Sequence, residues 1–509
     1  MSHNARNPAA HVALDASPHI PHQRLAYANN AAILADRDYV LYWMIAARRP
    51  RWNFALDHAI GRARELGKPL VVFEPLRVGY PWASDRLHRF VVDGMQANAR
   101  VFDDAPALYY PWLESEEGEG QGLLEAMAKR AAVVVTDDWP CFFLPRMVAA
   151  AADALDVRVE TVDSCGLLPL RCADKIYKRA VDLRRHLQSV LHDHLLDRPR
   201  AEPFDGVDLP SPDGLLPDHV TARWPSWRQR ILDDAVDLAT FPIDHLVRPI
   251  DTRGGCAAGA EQLADFIYER LPRYLDDRLD LEHRATSELS GHLHFGHLGA
   301  HQVFDAVAAR EDWSPGRLGE RANGAREGWW GMSAEAESFL DQLVTWRELG
   351  HNLCHHRTDY ADYDSLPGWA RQSLAEHSGD ERPDLYDLET LEHARTHDEI
   401  WNAAQRELLV DGRIHNYLRM LWAKKILEWS PSPRAAAERM IHLNDKYAID
   451  GRDPNSYSGI FWCLGRYDRA WGPERPIFGK IRYMSSDSTR RKTKLGPYLE
   501  TYGPLSTAG

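Results

Sequence analysis

Between Tyr39 and Val162 the chain alternates repeatedly between two hydrophobic periods, and that alternation limits its fold more than any other feature. YVLYWMIA (39–46), PLVVFEP (69–75), ALYYPW (107–112), AAVVVTD (131–137) and VRVETVD (157–163) are short apolar runs rich in β-branched and aromatic residues, which marks buried strands. Between them, Trp52–Leu66, Asp85–Arg100, Leu123–Arg130 and Pro145–Leu155 carry helical spacing. Strands that alternate with helices imply a parallel sheet covered on both faces, with ligands at the carboxyl ends of its strands. No GxGxxG follows the first strand, so no dinucleotide loop is expected there.

A different regime follows. Residues 171–255 are expected to be an interdomain linker, richest in Pro, Asp and Gly from Asp197 to Pro225. After DTRGGCAAGA (251–260), Leu263, Phe266, Ile267, Leu271 and Leu275 phase a helix over Glu261–Leu279, and the chain stays helical from there. The division is therefore a disordered tail over 1–25, an α/β domain over 26–170, the linker, and an all-α domain over 256–509; a chain of 509 residues suits two domains. A net charge of −14 excludes a uniformly basic surface and confines any nucleic-acid contact to a local patch. Cysteines 141, 165, 172, 256, 354 and 463 form no CxxC, which fits reduced thiols in a cytoplasmic protein. The first residues read as neither signal nor anchor, and no apolar run is long enough to span a membrane.

The chemistry concentrates in Gly412–Met484. In GRIHNYLRMLWAKKILEWSPSP, residues Ile414, Leu418, Leu421, Trp422, Ile426 and Trp429 give one buried helical face, ended by Pro431 and Pro433. Trp422 and Trp429 stand about 10 Å apart along that axis; a core stripe and a chain of redox-active indoles both explain them. The following HLNDKYAIDGRDPNSYSGIFWCLGRYDRAWGPERPIFGKIRYM mixes Asp, Asn, Arg and aromatics as a ligand-binding surface does. Basic residues gather from Arg466 to Lys494, as a phosphate-tracking patch requires. Upstream, Thr286, Ser287 and Ser290 precede an apolar helical segment, where they serve either as helix caps or as an anion site suited to a pyrophosphate. His292, His294, His297 and His301 do not share one helical face and have no accompanying cysteine or carboxylate, so no metal is expected. Gln342 and Trp346, one turn apart on a helix over 333–356, can face one pocket.

The blocks NYLRMLWAKKILEWS, LNDKYAIDGRDPNSYSGIFW and DRAWGPERPIFGKIRYM resemble the signature of class II cyclobutane-pyrimidine-dimer DNA photolyases, and a weaker likeness extends back to about Tyr39. The resemblance implies the photolyase/cryptochrome fold: an α/β antenna-type domain with a Rossmann-like parallel sheet, followed by an all-α FAD-binding domain. It implies a lyase in which excited, reduced FAD donates an electron to a pyrimidine dimer flipped out of damaged DNA, so that the ring splits. A second antenna chromophore of deazaflavin or folate type would accompany the FAD, and the protein would be a cytoplasmic monomer, on the nucleoid when bound to DNA. By the same resemblance Tyr274, Thr286, Ser287, Leu289, Ser290, Asn402, Asn416, Gly451 and Asn455 would bind the cofactor, with the ion pair Arg419–Asp450 beside its ring. Asn444, preferred over Asn455, would face flavin N5. Trp422 would lie nearest the flavin, then Trp401, then Trp429 outermost. Gln342, Trp346, Met420, Trp462, Arg469 and Arg482 would receive the lesion. Two positions depart from the pattern: Gly291 and His292 stand where Pro-Tyr is expected, and Gln342 stands where the family has a glutamate. Glutamine donates and accepts hydrogen bonds but holds no charge, which implies an alternative without dimer repair, a light sensor or an enzyme for another photochemical substrate.

Overall fold

The apolar runs pair into one six-stranded sheet in the computed structural model, which describes residues 20–504. Its strands are β1 (Leu25–Tyr27), β2 (Tyr39–Trp43), β3 (Leu70–Leu76), β4 (Ala107–Leu113), β5 (Ala131–Asp137) and β6 (Val159–Val162), ordered β1-β6-β5-β2-β3-β4. β2 through β6 are parallel, Tyr42 lying level with Val72 on one side and Val135 on the other, while β1 runs antiparallel on β6. Alternate side chains serve opposite faces. Val40, Tyr42, Val72 and Val133 pack on α1 (Phe54–Leu66), with Ala99 of α2 (Asp85–Val101) in the same cluster. Leu41, Trp43, Val71 and Val134 pack on α3 (Leu123–Ala128) and α4 (Leu144–Ala154). The chain reverses direction across the sheet between β2 and β5, and the carboxyl ends of those strands open into a cavity of about 790 Å³. Such a switch point is where open α/β sheets hold ligands.

Two expected boundaries are corrected. Of the expected tail, residues 1–19 lie outside the described residues, but Leu25–Tyr27 form β1, and the fully buried Arg24 donates to the carbonyls of Asp163, Gly166 and Leu167. An edge strand of three residues is too short to show a period. The expected linker is also largely built in. α5 (Ala180–His194) buries Leu183, Leu187 and Leu191 in the helical core, while Val220 and Trp224 cover the sheet.

Helices make up the rest. α6 (Cys256–Asp265) continues through a π-helical turn, Phe266–Arg270. A second π turn, Asp341–Trp346, joins α7 (Ala334–Leu340) to α8 (Arg347–His356). Single π turns of this kind recur at functional sites. α9 (Glu399–Asp411), α10 (Asn416–Trp429), α11 (Pro433–Tyr447) and α12 (Pro454–Trp462) follow. Their starts are capped by Asp398, which accepts from Trp401 N–H, by Ser432 ahead of Pro433, and by Asp453, which accepts from Asn455 N–H. α9 ends at Gly412, whose φ of 67° lets the chain turn into α10.

The two halves share buried polar ties. Arg86 of α2, 2% exposed, donates to Leu408 O and Leu409 O at the end of α9 and to Tyr447 O at the end of α11. Arg49 donates to Gly296 O, and the carboxylate of Glu348 on α8 accepts the N–H of Leu167.

Candidate active site

α10, α11 and α12 bring together the residues that the sequence places 30 or so positions apart. Arg419 Nη2 meets Asp450 Oδ1 at 3.3 Å, and both side chains remain partly exposed, at 26% and 15%. Asn444, on the last turn of α11, is 4% exposed and bound through Nδ2 to Asp445 and Ser456. Asn455 is exposed at the start of α12. Gly451 is buried for steric reasons: a Cβ there would stand 2.8 Å from Asn444 O and 2.9 Å from Asp445 Cα. A glycine therefore lets the Asp450 turn fold flat onto the end of α11.

Asn402 departs from its expected role in cofactor binding. Its Oδ1 accepts from Thr396 N–H and Oγ–H, and its Nδ2 donates to Thr396 O, so the amide is spent on tying down the turn before α9. Asn416 is exposed at the first turn of α10. The hydroxyl loop is also changed. The helix after it spans only Ser290–His294 and has no side-chain cap, so Thr286, Ser287 and Ser290 neither cap it nor gain a helix-terminal anion site. Leu289 is buried, and Arg270 donates to Thr286 O while pairing with Glu288, which also meets Arg413. Tyr274 is buried edge-on against Phe266 and Phe339. The four histidines go separate ways: His292 and His297 flank Phe90, His301 packs on Phe54, and His294 meets Asp453 at 3.3 Å.

The three tryptophans form one continuous path. Trp422 and Trp429 are each 2% exposed and Trp401 is fully buried. Trp401 Nε1 donates to the carbonyl of Trp422 at 3.0 Å, and its ring centroid lies 5.5 Å from that of Trp429, edge to face. Trp422 Nε1 is held by Gln405 Oε1 at 2.8 Å. Beyond Trp429 come two residues that sequence reasoning missed, Tyr386 and His397, each with its ring 5.4 Å away. Tyr386 O–H lies 2.6 Å from His397 Nδ1, and His397 is exposed, so the path ends at solvent. Nothing in the sequence signals these two, because they come from a loop that no motif marks.

The opposite side of α10 carries an aromatic and basic rim. Gln342, Trp346, Met420 and Trp462 are all half-buried. Arg482 lies 5.8 Å above the Trp462 ring and 5.1 Å from Trp471, and Arg469 covers Trp471 at 4.5 Å. Trp471 is a further missed residue; its signal was an indole set two residues after one arginine, in a turn rich in Gly and Pro. Lys424, 1% exposed, donates to Cys463 O next to Trp462, and burial lowers its ammonium to about 8. Arg466 leaves the expected basic patch, being buried and bonded to Tyr360 O.

This donor set fits a flavin. A cation paired with a carboxylate at the pocket edge, a buried amide whose Oδ1 is taken by no donor among the described residues, and indoles within contact of one another suit a planar redox group with polar edges. The interdomain cavity is separate from it, with Trp139, Phe142, Phe143, His294 and Arg452 among its lining residues.

No family model matches the chain. A deoxyribodipyrimidine photo-lyase of Methanothermobacter thermautotrophicus is 34% identical over 469 residues, covering 91% of this chain and 94% of that protein. One from Oryza sativa is 33% identical over 487 residues, covering 90% and 86%. Among solved structures, a Synechocystis cryptochrome superposes with a TM-score of 0.64 at 15% identity, covering 91% of this chain and 88% of the other.

Proposed function

The chain belongs to the deoxyribodipyrimidine photo-lyase family, and on that premise we propose how its residues carry light-driven repair of pyrimidine dimers in DNA. The fold is that of photolyases and cryptochromes, whose members generally bind FAD. Reduced FAD, when bound, supplies a light-excitable electron donor. The observation that carries the reading is the order of the buried indoles: Trp422, Trp401 and Trp429 follow one another in contact from the Arg419–Asp450 side to the surface at His397. Such a path lets an electron enter from solvent while the surrounding core keeps water out.

Asn444, Arg419 and Asp450 hold the polar edge of the cofactor in this reading, and Arg419 favours an anionic ring. Tyr274, Thr286, Ser287, Leu289, Ser290 and Asn416 lie along the rest of it. Trp346, Met420 and Trp462 form the apolar seat for an extruded dimer, and Gln342 hydrogen-bonds to its polar edge. Extrusion costs a few kcal/mol, least for an already distorted lesion. Arg469 and Arg482, stacked on Trp471 and Trp462, are planar cations set to fill the gap in the duplex and meet its phosphates. The aromatic lining of the interdomain cavity supports a second planar chromophore there, of deazaflavin or folate type. The reading takes the protein as a cytoplasmic monomer that needs no metal and joins the nucleoid through its substrate; no helix among the described residues is long and apolar enough to cross a membrane.

A sensor without repair is not favoured, since the relatives that share about nine tenths of this chain carry the photo-lyase name. The test is direct: purified protein with reduced FAD is illuminated with dimer-containing DNA, and dimers disappear. Dimers that persist in the light refute the function. In the same assay Gln342→Glu raises repair about fivefold, the worth of replacing a neutral by a charged hydrogen bond, ~1 kcal/mol.

A further inference from the structure

Asn444 has both of its amide protons committed. Nδ2 donates to Asp445 Oδ1 at 3.0 Å and to Ser456 Oγ at 2.6 Å. Asp445 is itself held in one state by its neighbours. Its Oδ1 also accepts the backbone N–H of Arg452 at 3.0 Å, and its Oδ2 accepts the Tyr457 hydroxyl at 3.0 Å. Every partner of this fully buried carboxylate is a donor, so the group it presents to Asn444 is an acceptor only. An amide turned end for end would set its oxygen against a carboxylate oxygen with no proton between them, in a site without water, where an unmatched polar contact is costly. Only Nδ2 can face Asp445, and Oδ1 is left as the one free atom of the Asn444 side chain.

We propose that Asp445 and Ser456 are positioning residues that lock the Asn444 amide with its oxygen toward the cofactor, so that this site accepts from flavin N5–H and cannot donate to an unprotonated N5. The inference rests on the reading above in which Asn444 faces N5. Its consequence is a bias in redox equilibrium. A flavin that carries hydrogen on N5 gains a hydrogen bond, and one that lacks it meets an oxygen lone pair, so the locked amide favours the reduced form the repair reaction needs. The surroundings maintain the lock. Arg452 sits at a φ of 67°, and its guanidinium donates to the carbonyls of Asp445, Ala448 and Ile449, which places a positive charge beside the carboxylate that burial would otherwise protonate.

The test is the midpoint potential of bound FAD, read by spectroelectrochemical titration of the whole protein. Asp445→Asn gives position 445 a donor of its own, frees Asn444 to turn, and shifts the ratio of oxidised to reduced flavin about tenfold toward oxidised, which is 59 mV for one electron. Ser456→Ala removes one acceptor without disturbing the buried charge, and shifts the ratio about threefold in the same direction. Tyr457→Phe removes a donor from the far oxygen of Asp445 and leaves the potential unchanged, which separates orientation of Asn444 from general loosening of the core. Flavin-bound D445N and S456A with the wild-type potential overturn the inference while leaving the function standing; if D445N fails to fold, S456A decides alone. Wild-type protein that takes up no FAD overturns both.

Discussion

Trp401→Phe separates the path for electrons from the packing that surrounds it. Trp401 is fully buried and makes two contacts that matter, the hydrogen bond from Nε1 to Trp422 O at 3.0 Å and the edge-to-face pair with Trp429 at 5.5 Å. A phenyl ring keeps the second in part and loses the first. It also leaves about three heavy atoms of space, worth ~2 kcal/mol at ~0.8 kcal/mol per buried carbon group. The lost hydrogen bond adds ~1 kcal/mol, since the Trp422 carbonyl keeps its acceptor role within α10. A cost of ~3 kcal/mol lies below the usual stability of a folded protein, so the variant folds. What it cannot do is carry an electron: phenylalanine is not oxidised under these conditions, and Trp422 and Trp429 are then left about 10 Å apart along the axis of α10. Photoreduction of the oxidised flavin band under blue light with an external reductant slows about tenfold or more. Dimer repair by protein reduced chemically beforehand stays within about twofold of wild type, because the barrier to splitting does not involve Trp401. A folded W401F protein that photoreduces at the wild-type rate would falsify the indole path.

Glu407 gives a pH prediction. It is 4% exposed, and burial pushes its carboxyl up to about 7 despite the hydrogen bonds it accepts from His415 N–H and Tyr498 O–H. A group whose folded pKa lies above its unfolded one stabilises the fold at low pH and loses that contribution as pH rises toward 7, so wild-type stability declines across this window by up to ~3 kcal/mol from Glu407. Glu407→Gln removes that part of the slope, and denaturant titrations at about pH 5 and about pH 8 show a smaller difference than in wild type; equal differences count against the assignment. Arg482→Ala, which strips the cation from Trp462 and Trp471, weakens binding to dimer-containing duplex and lowers the salt slope of binding by about 1; an unchanged slope places Arg482 away from the phosphates.

The sequence made the long, periodic elements legible and hid the short or compensated ones. β2 to β6 and α10 were readable because each repeats its period over several residues that lie in one core. β1 was not, since three residues on a sheet edge carry no period. α5 looked like linker because a Pro- and Asp-rich stretch follows it, although Leu183, Leu187 and Leu191 hold its helical phase. Within the site, the tryptophans and the Arg419–Asp450 pair come from neighbouring helices and meet as expected. Asn402 does not, because an amide that can bind a ligand can equally tie down its own loop, and only the hydrogen bonds tell which. Asp445 was unread for a related reason: beside Asn444 in the sequence, its carboxylate shows its purpose only once Arg452 and Tyr457 fold onto it.

Arg86 decides how far this protein can be taken apart. One guanidinium from the α/β half closes the carboxyl ends of the helices that bear Trp401 and Asn444, where Leu408, Leu409 and Tyr447 leave carbonyls with no partner of their own. Severed from the first half, the second would bring those oxygens into contact with water or leave them stranded, and the helix ends would fray toward the pocket they frame. Gene fusions and domain exchanges must therefore carry both halves together, since the part that would catch light for the enzyme also acts as a lid screwed onto the scaffold of its reaction centre.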